Sequence, residues 1–270
     1  MGLSVLMSVY EKENPEYFKM AMDSIIQQSR MPDEIVLIQD GPVTEKLNTL
    51  INHYESTILC LRVYRMKKNV GLGQALAKGV QLSSNELIAR MDTDDIAVFD
   101  RLEKQYEYMM KHPEISVTAG YMEEFCDDDS DYHKVKTMPI QMSDIVQYAK
   151  YRNPMNHMTV MFRRSKVLEA GNYRHFPYLE DYDLWCRMIA KGNLFYNFPE
   201  VLVKARTNKN LYGRRGGISY CRQYLKLRKE QRKEKLLNFK EYHIARILTM
   251  GITLLPSSIR KFVYQKILRK

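Results

Sequence analysis

Along the first hundred residues the apolar positions switch between two periods. "LSVLMSVY" is a continuous β-rich apolar run of strand length, and "PEYFKMAMDSIIQQ" opens on Pro15 and sets Phe18, Met22, Ile25 and Ile26 at helical spacing. "DEIVLIQDGP" reads as a second buried strand ending at a turn. A helix around Glu45–Tyr54, a strand "LRVYRM", a helix through "GLGQALAKGVQL" and a strand "LIARM" follow. Strand and helix taking turns at this spacing predict a parallel sheet covered on both faces. Ligands of such sheets sit beyond the carboxyl ends of the strands. Three polar clusters fall there: Tyr10-Glu11, Asp40-Gly41, and the aspartates after "LIARM".

The middle of the chain is less regular. "RLEKQYEYMMKH" predicts a helix, "EISVTAG" a strand, "CDDDSDYHK" an acidic loop and "MTVMFRRS" another strand. "EDYDLWCRMIAKG" predicts a helix closed by Gly192, and "NLFYNFPEVLVKAR" one or two strands. From Ser219 onward the pattern is helical, with a break at Pro256.

Charge divides the chain in two. Residues 201–270 carry 19 Lys and Arg against 3 Glu, a net of +16, so the first 200 residues carry −6 of the total of +10. A near-neutral body with a cationic tail meets an anionic partner or leaves the tail solvated. The 4 cysteines show no C-x-x-C spacing, which predicts reduced thiols and no cysteine metal site. The N-terminus lacks a basic segment and a cleavage motif, so no signal peptide is expected. The late apolar run Ile247–Leu255 is too short to span a bilayer.

The stretch "NELIARMDTDDIAVFDR" ends an apolar strand in Asp92, Asp94 and Asp95. Like charges so close persist where a cation neutralises them or water surrounds them. Hard divalent cations such as Mg²⁺ or Mn²⁺ take oxygen ligands of this kind. The other reading is a helix N-terminus, whose free N–H groups and dipole favour aspartate.

"LIARMDTDDIAVFDRLEKQ" resembles a signature of the inverting family-2 glycosyltransferases, whose D-x-D element follows the fourth strand of a GT-A fold. Other segments resemble that family in the same order. "LSVLMSVY" is similar to the opening strand that cradles the nucleotide, and "DEIVLIQDGP" to the strand that follows. "KNVGLGQALAKG" resembles the Asn-x-Gly loop and helix that close over the base. "NHMTVMFRRS" resembles the acceptor-side strand, and "LEDYDLWCRMIAKG" the Glu-Asp motif that supplies the catalytic base. The match runs over about residues 3–206.

The resemblance implies an α/β, Rossmann-like mixed sheet flanked by helices over residues 1–215, followed by a basic helical extension over 216–270. It implies nucleotide contacts from Ser8, Tyr10, Glu11, Asp40 and Asn69. Gln39 stands where the family's first acid of a pair is usual, Pro42 replaces a serine, and Asp40-Gly41-Pro42 also reads as a plain turn. Asp92 would contact the ribose and share the metal, Asp94 would hold the metal at the diphosphate, and Asp95 would cap a helix or support them. Asp181 matches the catalytic base and Glu180 its neighbour; the same acids also suit a helix N-terminus. His157 orients donor or acceptor, or is structural; Trp185 lines the sugar pocket or the core. In "KARTNKNLYGRRGG", Arg206, Arg214 and Arg215 would cover the diphosphate on a loop hinged at Gly213, Gly216 and Gly217, unless that loop is simply solvated.

The implied activity is inverting transfer of a sugar from a nucleotide-sugar donor, a UDP-sugar, to a hydroxyl of a glycan acceptor, with Mn²⁺ or Mg²⁺ as cofactor. The cationic tail adds a setting. Tyr220, Tyr224, Leu227, Leu236 and Leu237, then Ile259, Phe262, Val263, Ile267 and Leu268, lie among Lys and Arg in the manner of basic amphipathic helices. Such helices lie on an anionic membrane, or pack on the body with the wet face charged. The first alternative suits a polyprenyl-linked acceptor at the cytoplasmic face of the cell membrane, in capsule, O-antigen or exopolysaccharide assembly. No nucleic-acid recognition fold is readable. The rival readings are a retaining transferase or nucleotidyltransferase, and a non-catalytic nucleotide-, polyanion- or membrane-binding protein on the same fold.

Overall fold

The structure, a computed structural model, describes residues 1–127, 129–207, 216–256 and 259. Four strands form the parallel part of one sheet: β1 (Leu3–Val9), β2 (Glu34–Gln39), β3 (Leu61–Arg65) and β4 (Leu87–Met91), in the order β3-β2-β1-β4. Helices α1 (Pro15–Ile26), α2 (Glu45–Thr57) and α3 (Leu72–Leu82) connect them. β2 is buried along its whole length because successive side chains enter two separate cores. Val36 and Ile38 join Leu6, Leu76 and Ile88 on one face, while Ile35 and Leu37 join Val5, Phe18 and Met22 on the other. Each such buried aliphatic or aromatic side chain contributes roughly 1.5–3 kcal/mol.

Local signals set the helix starts. Asn14 accepts from the Glu16 amide ahead of Pro15, and Thr44 accepts from Leu47 at the start of α2. Gly79 lets α3 lie directly on β1, since a Cβ there would stand 2.2 Å from Leu6 Cδ1.

Beyond β4 the sheet becomes mixed. After β5 (Ile96–Ala97) and α4 (Arg101–Lys111) come β6 (Ile115–Cys126), β7 (Asp129–Lys136), α5 (Met142–Ala149), a 3₁₀ turn at His157–Thr159, and β8 (Met161–Arg163). Next are α6 (Arg164–Glu169), α7 (Glu180–Ala190), β9 (Leu194–Arg206), α8 (Ile218–Lys233) and α9 (Phe239–Thr253). β8 is antiparallel to β4 and to β6, β9 is parallel to β6, and β5 is antiparallel to β9.

Three expectations change here. The acidic loop "CDDDSDYHK" is largely strand: β7 pairs antiparallel with β6, Met122 opposite Lys136. The like-charged run hid an edge strand whose Val135 is exposed. The strand expected at "MTVMFRRS" contracts to Met161–Arg163, because the Thr159 hydroxyl bonds the Asn156 carbonyl and holds a 3₁₀ turn. The two-residue β5 gave no periodic signal.

The described part of the cationic segment is helical. α8 packs on the body: Leu227 and Gln231 are fully buried and Arg228 is nearly so. α9 follows it and exposes Ile244, Ile247 and Leu248, with Leu254 exposed just past its end. The last basic segment lies outside the described residues, apart from Ile259. No helix among the described residues is long and apolar enough to cross a membrane.

Candidate active site

Asp92, Thr93, Asp94 and Asp95 form the turn after β4, beside the end of β1. The carboxylate oxygens of Asp92, Asp94 and Asp95 lie within 4.8 Å of one another. Asp95 is buried and accepts from the Arg206 amide at 2.8 Å. Thr93 donates to Glu13 at 2.5 Å, which brings a further carboxylate to the group. Burial, then Asp92 and Glu13, push Asp94 up to about 7. Burial and the same crowding raise Asp95 well above the ordinary carboxylate range. The set is all oxygen and crowded with like charge, so it fits a hard divalent cation. Neither Asp94 nor Asp95 caps α4, which starts at Arg101.

Two buried guanidinium groups stand behind these acids. Arg90, in β4 and 2% exposed, grips both carboxylate oxygens of Asp92. Arg101 is fully buried and donates to the Arg90 carbonyl at 2.7 Å. Burial and the charge of Arg90 pull Arg101 down to about 9.

Beside the turn, Tyr10, Glu11, Lys12, Asp40, Pro42 and Asn69 line a cavity of about 480 Å³. Asp40 is buried, and its two oxygens accept from the amides of Val70 and Gly71 at 2.7 and 3.0 Å. Asp40 therefore fixes the loop before α3 and forms part of the cavity wall. Gly41, at φ +87°, turns the chain so closely past that loop that a Cβ would stand 2.5 Å from the Asn69 nitrogen. Ser8 lies one residue before the end of β1, with its carbonyl 3.3 Å from the Thr93 hydroxyl.

The second carboxylate group begins α7. Asp181 accepts from Asn153 Nδ2 at 2.6 Å and from the Tyr182 amide at 2.7 Å. Burial raises its pKa, and these two donors oppose the rise. Burial and the charge of Asp181 push Glu180 up to about 7. Asp183 faces away and is bound by Arg187 and Arg174 at 2.8 and 3.1 Å. The charge of Asp92 reaches Glu180, and that of Arg90 reaches both Glu180 and Asp181. The acidic turn and the start of α7 thus share one electrostatic neighbourhood.

The remaining predicted residues divide. His157 bonds Tyr173 at 3.0 Å, and burial with the charge of Arg90 lowers its pKa well below the usual value, so the ring is neutral. Trp185 is fully buried, packed against Phe195, Phe162 and Tyr173. The apolar face of α7 carries it into the core. Arg206, on β9, lies over the Tyr17 ring at 3.8 Å, pairs with Asp127 and donates to the Asp94 carbonyl at 3.1 Å. Arg214, Arg215 and the hinge Gly213 lie outside the described residues. Sequence reasoning missed Arg90, Arg101, Glu13 and Asn153. For Arg90 a signal was available, because residues two apart on a strand share a face and Asp92 follows at that spacing.

Residues 4–171 match the family described as Glycosyl transferase family 2. The chain belongs to glycosyl transferase family 2. Among its relatives in that family is the amylovoran biosynthesis glycosyltransferase AmsE of Erwinia amylovora, 38% identical over 97% of this chain and 98% of the relative. The UDP-Gal:alpha-D-GlcNAc-diphosphoundecaprenol beta-1,3-galactosyltransferase of Escherichia coli is 33% identical over 99% of this chain and 96% of its own length. The fold is that of the GT-A glycosyltransferases. S. aureus TarS 1-349 in complex with UDP-GlcNAc superposes with a TM-score of 0.71 at 14% identity, covering 99% of this chain and 75% of that one. The mannosyltransferase PcManGT of Pyrobaculum calidifontis, solved with GDP-Man and Mn2+, superposes at 0.59 and 12% identity, covering 97% and 79%.

Proposed function

We propose that this family-2 glycosyltransferase moves a sugar from a UDP-sugar to a hydroxyl of a polyprenyl-diphosphate-linked glycan, with inversion, in cell-surface polysaccharide biosynthesis. The observation that carries the reading is the all-oxygen acidic turn after β4, whose Asp92 lies within electrostatic reach of Glu180, together with the cavity lined by Tyr10, Asp40 and Asn69. In this reading the cavity takes the nucleotide, through Asp40, Asn69, Tyr10, Glu11 and the end of β1 at Ser8. Asp92 and Asp94 would hold Mn²⁺ or Mg²⁺, which when bound would supply positive charge to stabilise the departing diphosphate. Asp181 removes the proton of the acceptor hydroxyl as its oxygen attacks the anomeric carbon. The bond from that carbon to the diphosphate breaks on the opposite face, and UDP departs. Asn153 orients the base, and His157, held neutral, stands near Arg90 without adding charge. Arg206 supports the acidic turn.

The relatives support the acceptor class, since one is a transferase to a diphosphoundecaprenol-linked sugar. They support the biological setting as well, amylovoran biosynthesis being the task of another. An anionic membrane at the cytoplasmic face is the proposed meeting place. Its support is the net charge of +16 in residues 201–270 and the exposed apolar stripe Ile244, Ile247 and Leu248 of α9.

A panel of nucleotide sugars, incubated with Mn²⁺ and a lipid-linked acceptor, tests the reading. Release of UDP with a product of inverted anomeric configuration by NMR is expected. Retention of configuration, or release of pyrophosphate, overturns it.

A further inference from the structure

A larger cavity, of about 710 Å³, counts Asp181 among its lining residues. Its walls come from β7, the segment 148–153 after α5, and the helices α8 and α9. Its volume falls in the range of sites that enclose small molecules. Three properties define what it can hold. First, among the described residues that line it Asp181 is the single acid, against Lys134, Lys136, Arg152 and Arg228. Second, Tyr148, Tyr151, Tyr178, Tyr220 and Tyr224 supply rings that suit sugar faces and apolar chains alike. Third, the lining residues Val135, Tyr178 and Leu248 are 49%, 61% and 49% exposed, so the rim is apolar and open.

The C-terminal helices are fastened to the base through this wall. Arg228 of α8, 3% exposed, donates to the carbonyls of Lys150 and Tyr151 at 3.0 and 2.8 Å. Lys150 pairs with Glu241 of α9 at 2.6 Å. The segment so clamped continues to Asn153, whose amide holds Asp181. The wall of the cavity and the orientation of the proposed base therefore depend on the same contacts.

We infer that this cavity is the acceptor site and takes a glycosyl diphosphate carrying an apolar chain. The diphosphate lies against Lys134, Lys136 and Arg152, the sugar hydroxyl reaches Asp181, and the chain leaves over Val135 and Leu248. Leu248 belongs both to that rim and to the exposed face of α9 that carries Ile244 and Ile247, so the chain leaves along an apolar surface. The inference rests on the glycosyltransferase reading above for the role of Asp181.

Calorimetric titration of the full chain, saturated with UDP and Mn²⁺, with farnesyl diphosphate tests it. Farnesyl diphosphate is expected to bind the UDP-saturated protein at least ~10-fold more tightly than inorganic pyrophosphate or farnesol, because charge and chain are both used. Lys134→Glu with Lys136→Glu is expected to weaken that binding by a further ~10-fold or more, with UDP affinity unchanged. Retained UDP binding reports that the variant is folded, and Leu248→Asp, at the exposed rim, gives an independent loss. Pyrophosphate binding as tightly as farnesyl diphosphate would mean a site for free phosphate and overturn the inference. So would farnesyl diphosphate that binds only without UDP, or equally well to the charge-reversed protein. Failure to bind UDP, by contrast, counts against the glycosyltransferase reading itself.

Discussion

The two sides of the cleft are built in different ways. The side with the smaller cavity comes from strand ends and turns within the first hundred residues, and its carboxylates crowd together in one turn. The side with the larger cavity comes from an edge hairpin, a clamped segment and two helices more than a hundred residues later. Asp181, the single acid among the described residues that line it, is held by an amide and a backbone N–H. The first arrangement suits a compact cation and its diphosphate, and the second a large, partly apolar molecule that presents a hydroxyl. Damage to one side should therefore spare binding on the other.

Asp94→Ala should break the comparison most completely. It is expected to lower turnover by about 10³-fold or more and to remove metal-dependent UDP binding, because charge on the leaving diphosphate is then unopposed. Thermal shift with UDP, with and without Mn²⁺, reads the loss; unchanged activity would remove the metal assignment. Asp181→Asn should cost about 10²–10⁴-fold in kcat while UDP binding stays intact, since only the proton acceptor is lost. Wild-type rates in that variant would exclude it as the base.

Arg228→Met, far from the nucleotide side, sharpens the contrast. It strips donors from the Lys150 and Tyr151 carbonyls, so a loss of about 1–3 kcal/mol in stability is expected for each group left unsatisfied. Denaturant titration measures that loss. Transfer should fall more than UDP affinity; equal falls would mean that the two sides are not separable. Asn153→Ala has the smallest and most directional effect. The base works when deprotonated, so activity rises with pH through its pKa. Burial already raises that pKa and Asn153 holds it down, so removing the amide should move the acidic limb of kcat/KM to higher pH. An unmoved or lowered limb would argue against Asp181 as the titrating group.

The same contrast explains what the sequence made legible. β1 to β4 and their helices follow from local period, capping residues and turns, so their order could be read directly. The acidic turn announced itself because three like charges end a buried strand. Arg90 and Arg101 were not singled out in the sequence: the grip of Arg90 on Asp92 and the full burial of Arg101 come from tertiary packing. The wall of the larger cavity was not legible at all. Arg228 lay in a run of basic residues that suited a membrane surface, and only tertiary packing sets it beneath the segment leading to Asp181. β7 was obscured in the same way, by charge that overrode its period of two.

The most direct measurement is an anomalous-scattering map from a crystal soaked with UDP and manganese. The account predicts a manganese peak in contact with Asp94 and the UDP diphosphate, with Asp181 across the cleft and no nucleotide density in the cavity lined by α8 and α9. UDP seated among Lys134, Arg152 and Tyr224, or bound nucleotide with no manganese at the aspartates, would contradict it.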